Sequence, residues 1–84
     1  MNDPVEAIVA RALDDAGISY TRPDGTPDFK ITAFNLEIEV KQFYSERVIR
    51  QLEGKENIIL IQGKPAASYF YRLLNGDHQF QRGR

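Results

Sequence analysis

The sequence predicts a small α/β domain in which helices flank a mixed β-sheet. Apolar residues recur at helical spacing near the start, two short segments at 28–32 and 36–43 have strand character, and the run 58–61 is entirely apolar. Because a chain of 84 residues supports only one core, these elements are expected to share it. The expected order is α-β-β-β-α-β followed by a last helix, in one domain over 1–76, with a flexible tail at 77–84.

The first helix is expected over residues 4–16. Its apolar side chains form one stripe, made of Val5, Ile8, Val9, Ala12, Leu13 and Ala16. Asp3 is placed to cap the helix, and Glu6 completes a capping box. Pro4 suits the first helical position, and Gly17 can adopt the left-handed conformation that closes the helix.

Three strands are expected next. Residues 18–22 form a short strand that ends at the turn 23–27, where two prolines and a glycine prevent a ladder from continuing. The strands 28–32 and 36–43 are joined by three residues, which makes them antiparallel neighbours. Side chains of the second strand alternate between the two faces of the sheet. One face carries Leu36, Ile38 and Val40, and the other carries Glu37, Glu39 and Lys41.

The second half of the chain predicts a helix, a strand and another helix. Ser45 can cap a short helix that ends at Gly54, and its buried side carries Val48, Ile49 and Leu52. Residues 57–62 contain an apolar run that predicts a central strand covered on both sides. A right-handed β-α-β crossover would join this strand to 36–43. The last helix is expected from Pro65 to about Leu74, before Asn75-Gly76 stops it.

Composition limits the classes of function that need to be considered. The chain has no cysteine, which excludes disulfides and thiolate zinc sites. No apolar run reaches the ~18 residues that would cross a bilayer, and no signal segment begins the chain, so a cytoplasmic protein without a membrane partner is expected. Residues 1–40 carry a net charge of -5 and residues 41–84 carry +4, which sums to the total of -1. This asymmetry fits an acidic cluster that attracts cations beside a basic surface that attracts polyanions, and it fits equally well two halves of the chain that attract each other.

The polar face of the strand 36–43 is the most informative feature. Glu39 and Lys41 are successive side chains on this face, roughly 6.6 Å apart at the backbone. Asp28, which follows Pro27, begins the adjoining strand and supplies a second carboxylate. Mg²⁺ is held in proteins by one or two carboxylates together with water and phosphate oxygens. A nearby lysine can stabilise an anionic transition state.

This pattern resembles the signature of the PD-(D/E)XK nuclease superfamily. Pro27-Asp28 is followed after ten residues by Glu39-Val40-Lys41, and the expected element order resembles that superfamily's restriction-endonuclease-like core. The chain is most similar to virus-type replication-repair nucleases and Holliday-junction resolvases. Those families also place a glutamate in the first helix and a glutamine in the helix after the motif. Glu6 and Gln51 occupy these positions here.

The resemblance implies an endonuclease that hydrolyses DNA, including branched or four-way DNA, with Mg²⁺ or Mn²⁺ as cofactor. It implies Asp28, Glu39 and the Val40 carbonyl as metal ligands, with Glu6 as an outer ligand through water. Lys41 would be the catalytic lysine, and Gln51 would orient phosphate or water. The small core and the aromatic last helix predict a homodimer, with Phe70 and either Tyr69 or Tyr71 at the interface.

Other interpretations of these residues stay open. Asp28 could cap backbone amides of a turn, and Glu39 and Lys41 could pair on a solvated strand face. The capping box explains Glu6 without a metal. Four cations could contact phosphates around the site or simply be solvated, namely Arg47, Arg50, Lys55 and Lys64. The alternative to an enzyme is a catalytically silent nucleic-acid-binding or assembly module on the same fold.

Overall fold

The computed structural model describes residues 3–43 and 45–76 and confirms the α/β class. The predicted tail at 77–84 lies outside the described residues. Within these residues three helices and four strands follow one another as α1 (Pro4–Asp15), β1 (Tyr20–Thr21), β2 (Phe29–Ile31), β3 (Leu36–Lys41), α2 (Glu46–Leu52), β4 (Ile58–Gln62) and α3 (Gly63–Asn75). Among the described helices, none is both long and apolar enough to cross a membrane.

The ends of α1 follow from local sequence. The Asp3 carboxylate accepts hydrogen bonds from the backbone N–H groups of Val5 and Glu6, at 2.8 and 3.3 Å. At the other end Gly17 adopts a φ of 71°, the left-handed conformation that a glycine takes without strain. The capping box is only half formed, because the Glu6 carboxylate accepts a hydrogen bond from the Arg22 guanidinium. A charged partner is stronger than the backbone amide that a capping box would offer.

The four strands form one mixed sheet in the order β1-β2-β3-β4. The predicted antiparallel pairing of β2 with β3 is confirmed, and β4 runs parallel to β3 after the α2 crossover. β3 is shorter than the predicted strand 36–43 because its last partner is Gln62, opposite Lys41. Directly after Gln62, Gly63 has a φ of 83°, and the chain turns into α3 two residues before the predicted start at Pro65.

The core lies between one face of the sheet and the helices α1 and α3. It contains Val5, Val9, Leu13, Phe29, Ile31, Ile38, Val40, Ile61 and Ala67. Phe29 is the largest of the fully buried side chains, and its ring meets the Tyr20 ring edge-on with centroids 5.4 Å apart. Since side chains of β3 alternate, Glu37, Glu39 and Lys41 lie on the opposite face.

The prediction that 57–62 form a central strand is wrong. β4 is the last strand of the sheet and pairs only with β3 among the described strands. Ile59 is 37% exposed, and Ile58 and Leu60 are half-buried. An apolar run indicates contact with other apolar groups, but it does not indicate on which sides those groups lie.

Candidate functional site

Glu39 is the only charged residue that is buried within the described part of the chain. Its side chain is 4% exposed, and its Oε2 lies 3.4 Å from the Nζ of Lys41 on the same strand. Its Oε1 has no hydrogen-bond partner among the described residues. A buried carboxylate oxygen without a partner is costly, so this atom is suited to receive a ligand.

Asp28 lies beside Glu39 because of the register between β2 and β3. Phe29 pairs with Ile38, so the next residues outward, Asp28 and Glu39, stand opposite each other on the same face. The Asp28 Oδ2 accepts a hydrogen bond of 2.7 Å from the N–H of Val40. This bond orients the carboxylate against β3.

The surroundings of Glu39 disfavour its charged form. Burial raises the pKa of Glu39, and the negative charge of Asp28 raises it further. The ammonium of Lys41 acts in the opposite direction and lowers the pKa of Glu39 without cancelling the increase. A bound cation would relieve this repulsion directly.

Glu6 approaches the pair from α1 but is held by Arg22. Burial and then the charge of Asp28 raise the pKa of Glu6, while the Arg22 guanidinium lowers it. Arg22 also donates from Nε to the Asp28 carbonyl at 2.9 Å, and its guanidinium lies 4.1 Å from the centroid of the Phe29 ring. Arg22 therefore ties α1 to β2 at the margin of the site. No pattern in the sequence indicated this role, because the contact joins residues that are far apart in the chain.

A cavity of about 180 Å³ opens beside the buried carboxylate. It is lined by Thr26, Pro27, Glu39, Gln51, Leu52, Lys55 and Ile58. Gln51 comes from α2, so the crossover helix brings the predicted amide to the same cavity as Glu39. Lys55 also lines the cavity, and its Nζ lies 3.1 Å from Oε1 of Glu37. The cavity thus combines a carboxylate, an amide and an ammonium.

The remaining predicted cations lie outside this cavity. Arg47 and Arg50 are exposed on α2, and Arg50 lies 3.8 Å from Glu46. Lys64 is exposed on the first turn of α3, beyond the end of β4. The structure therefore places one of the four predicted phosphate contacts, Lys55, at the cavity.

The available oxygen atoms are chemically suited to a hard divalent cation, although only two side chains supply them. Within residues 3–43 and 45–76, no three acidic or histidine side chains cluster closely enough to hold a metal ion by themselves. Asp28 and Glu39 provide two carboxylates, and Glu39 has one oxygen without a partner. Mg²⁺ commonly takes only one or two carboxylates and completes its octahedron with water and substrate oxygens. The residues present fit that mode of binding.

No protein-family model matches the chain, and comparison with curated proteins and with solved structures finds no match. The functional argument consequently depends on the geometry of Asp28, Glu39 and Lys41 and on the cavity beside them.

Proposed function

We propose that this protein is a divalent-metal-dependent DNA endonuclease of the PD-(D/E)XK type, acting on branched or four-way DNA. The observation that carries the proposal is the buried Glu39 carboxylate, which has one oxygen without a partner, stands opposite Asp28 and lies beside Lys41. A structural glutamate at this depth would be expected to have both oxygens hydrogen-bonded.

In the proposed reaction Asp28, Glu39 and the Val40 carbonyl would hold Mg²⁺ or Mn²⁺. The ion, when bound, would polarise the phosphodiester and make an attacking water more acidic. The Lys41 ammonium is 36% exposed on its side chain, so it can reach a substrate phosphate while it remains near Glu39. Its charge would stabilise the negative charge that develops on the phosphoryl oxygens.

Two further residues are assigned from their positions around the carboxylates. Gln51 lines the cavity and can donate from its amide to a phosphate oxygen or to the attacking water. Glu6, half-buried near Asp28, would act as an outer ligand through water while Arg22 balances its charge.

The order of elements supports the same proposal. A first helix, three strands with a hairpin between the second and third, a crossover helix and a parallel fourth strand follow one another along the chain. This succession is the one that the resemblance to PD-(D/E)XK nucleases implies. It places the acidic motif where β2 and β3 lie side by side.

One contact favours the alternative of a catalytically silent module. Asp28 Oδ2 already accepts the Val40 N–H, which is a structural role of the kind a turn carboxylate can have. The two functions differ in their requirement for Lys41, because a fold that only binds or assembles does not need a cation beside Glu39.

The deciding experiment is a nicking assay on linear and four-way DNA with added Mg²⁺ or Mn²⁺. Lys41→Ala should abolish cleavage while circular dichroism and the metal-dependent increase in thermal stability remain. The matched control is Arg11→Ala, which removes the same unit of charge from α1, on the other side of the sheet, and should retain full cleavage. Undiminished cleavage by Lys41→Ala would remove the catalytic assignment. Absence of cleavage by the wild-type protein on every substrate would favour the silent module.

A further inference from the structure

The outer edge of β4 presents backbone groups that no described strand uses. The Glu37 N–H donates to the Asn57 carbonyl at 2.8 Å, and Glu37 pairs with Ile58 in the parallel ladder. Because successive residues of a strand direct their backbone groups to opposite sides, residues 57, 59 and 61 bond toward β3. Residues 58, 60 and 62 then turn their N–H and C=O groups outward.

This edge lacks the features that normally prevent strands from pairing between molecules. Residues 58–62 contain no proline and no charged side chain, and they form an uninterrupted ladder with β3. Beside the edge, three apolar or aromatic side chains remain open to solvent. Their exposed fractions are 37% for Ile59, 68% for Tyr69 and 81% for Leu73. Ile59 and Leu73 also line a cavity of about 230 Å³ whose lining is otherwise apolar or aromatic.

We propose that a second copy of this chain covers this surface by antiparallel pairing of β4 with β4 about a two-fold axis at Leu60. In this register Leu60 opposes Leu60, and Ile58 opposes Gln62 of the other copy. The residues whose backbone groups point outward, 58, 60 and 62, then oppose one another, so these pairs can form both hydrogen bonds of an antiparallel pair, while Ile59 and Ile61 form the non-hydrogen-bonded pairs between them. A register shifted by one residue would oppose residues whose backbone groups point outward with residues whose backbone groups point toward β3, and these pairs could not form both hydrogen bonds.

The charges at the two ends of β4 identify the occupant as a second copy. Glu56 lies two residues before β4 and Lys64 two residues after it, so antiparallel pairing brings Glu56 of one copy to the end of the interface at which Lys64 of the other lies, and the two-fold axis repeats this at the other end. Both residues are exposed. A strand edge with an acidic residue before it and a basic residue after it is complementary to its own antiparallel copy.

The arrangement modifies the interface that the sequence predicted. Phe70 packs against the core of its own domain, and Tyr71 donates a hydrogen bond to Asp15. Of the predicted side chains only Tyr69 then faces the second copy, and Leu73 takes the place of Phe70 beside it. The two-fold axis of an antiparallel pair is perpendicular to the sheet, so both α3 helices lie on one face and both cavities beside Glu39 lie on the other. This pairing does not depend on the proposed nuclease activity.

A charge exchange tests the antiparallel orientation without disturbing the core. Glu56→Lys and Lys64→Glu each place like charges together at both ends of the interface and should weaken self-association about tenfold. The double variant Glu56→Lys, Lys64→Glu restores opposite charges and should return to wild-type association. Sedimentation velocity at low salt measures the dimer fraction over a range of protein concentrations, and circular dichroism checks that each variant is folded.

Leu60→Pro provides the second test, because it removes an outward N–H while β3 pairing uses only the groups that point inward. This variant should be a folded monomer under conditions in which the wild type is a dimer. A wild-type protein that stays monomeric at high micromolar concentration would overturn the proposal, and so would a dimer that is indifferent to the three charge variants. Cleavage of DNA is not a readout in either test, so failure here and failure of the nuclease assignment are distinguishable.

Discussion

Replacing Glu39 by glutamine should stabilise the protein in the absence of divalent metal. The substitution keeps the shape of the side chain but removes a charge that is buried at 4% exposure with one oxygen lacking a partner. A buried polar group without its hydrogen bond costs about 1–3 kcal/mol and a charged one costs more, so the neutral amide, although it also lacks a partner at this position, is less costly there than the carboxylate. The ion pair with the half-exposed Lys41, which glutamine would lose, is worth at most about 1 kcal/mol. We therefore expect a net gain of about 1 kcal/mol, or an increase in Tm of about 4–8 °C for a domain of this size.

Adding a divalent metal should reverse this difference and make the wild type more stable than Glu39→Gln. If Asp28 and Glu39 hold a divalent ion, Mg²⁺ at about 100 times its dissociation constant would stabilise the wild type by about 2.7 kcal/mol. Glu39→Gln should show little of this gain. Thermal unfolding followed by circular dichroism, with EDTA and then with millimolar MgCl₂ or MnCl₂, measures both effects in one series.

Glu37→Gln is the matched control for this series. Glu37 lies two residues earlier on the same face of β3, but its carboxylate already lies 3.1 Å from the Nζ of Lys55. Its substitution should not stabilise the metal-free protein and should leave the response to metal intact. If Glu39→Gln proves less stable than the wild type in EDTA, the carboxylate is a satisfied structural group and the reasoning about its free oxygen is refuted.

Two other predictions concern pH and helix capping. Since the pKa of Glu39 is raised above its ordinary value of 4.5, its charge destabilises the folded state at neutral pH. The difference in unfolding free energy between Glu39→Gln and the wild type should therefore narrow as pH falls through that raised pKa and close below 4.5. Urea titrations at several pH values measure this difference. A difference that does not change with pH would contradict the reasoning. Asp3→Ala should cost about 1 kcal/mol because it removes the acceptor for the Val5 and Glu6 amides, whereas Asp3→Asn should retain most of the stability.

Local signals in the sequence predicted the ends of the helices well. Asp3 caps α1, the Ser45 side chain accepts from the Arg47 N–H at 3.2 Å, and Gly76 follows the last residue of α3 with a φ of 82°. Each of these features depends on residues within a few positions of one another. Antiparallel pairing of β2 and β3 was predictable for the same reason, because their connection is too short for any other arrangement.

Properties that depend on distant parts of the chain were not predictable. Alternation along β3 correctly separated Glu39 from Ile38 and Val40, but it suggested no reason for Glu39 to be buried. Burial follows from β2 beside it and from α2, which brings Gln51 and Leu52 to the same cavity. The contact of Arg22 with Glu6 joins the segment directly after β1 to α1 and has no signature in spacing or composition.

The hydrogen bond between Asp28 and the backbone of Val40 has a consequence for ion selectivity. It occupies one lone pair of Asp28 Oδ2 and orients the carboxylate against β3, so Oδ1, which does not make this bond, is the better placed oxygen for a cation and favours monodentate binding. Ca²⁺ takes six to eight oxygen ligands and often uses both oxygens of a carboxylate, whereas Mg²⁺ takes six at shorter distances and keeps several waters. A site that offers few carboxylate oxygens, from Glu39 on β3 and from Asp28 directly before β2, favours the smaller ion. Ca²⁺ would then be a poor substitute even at concentrations at which it competes for exposed carboxylates.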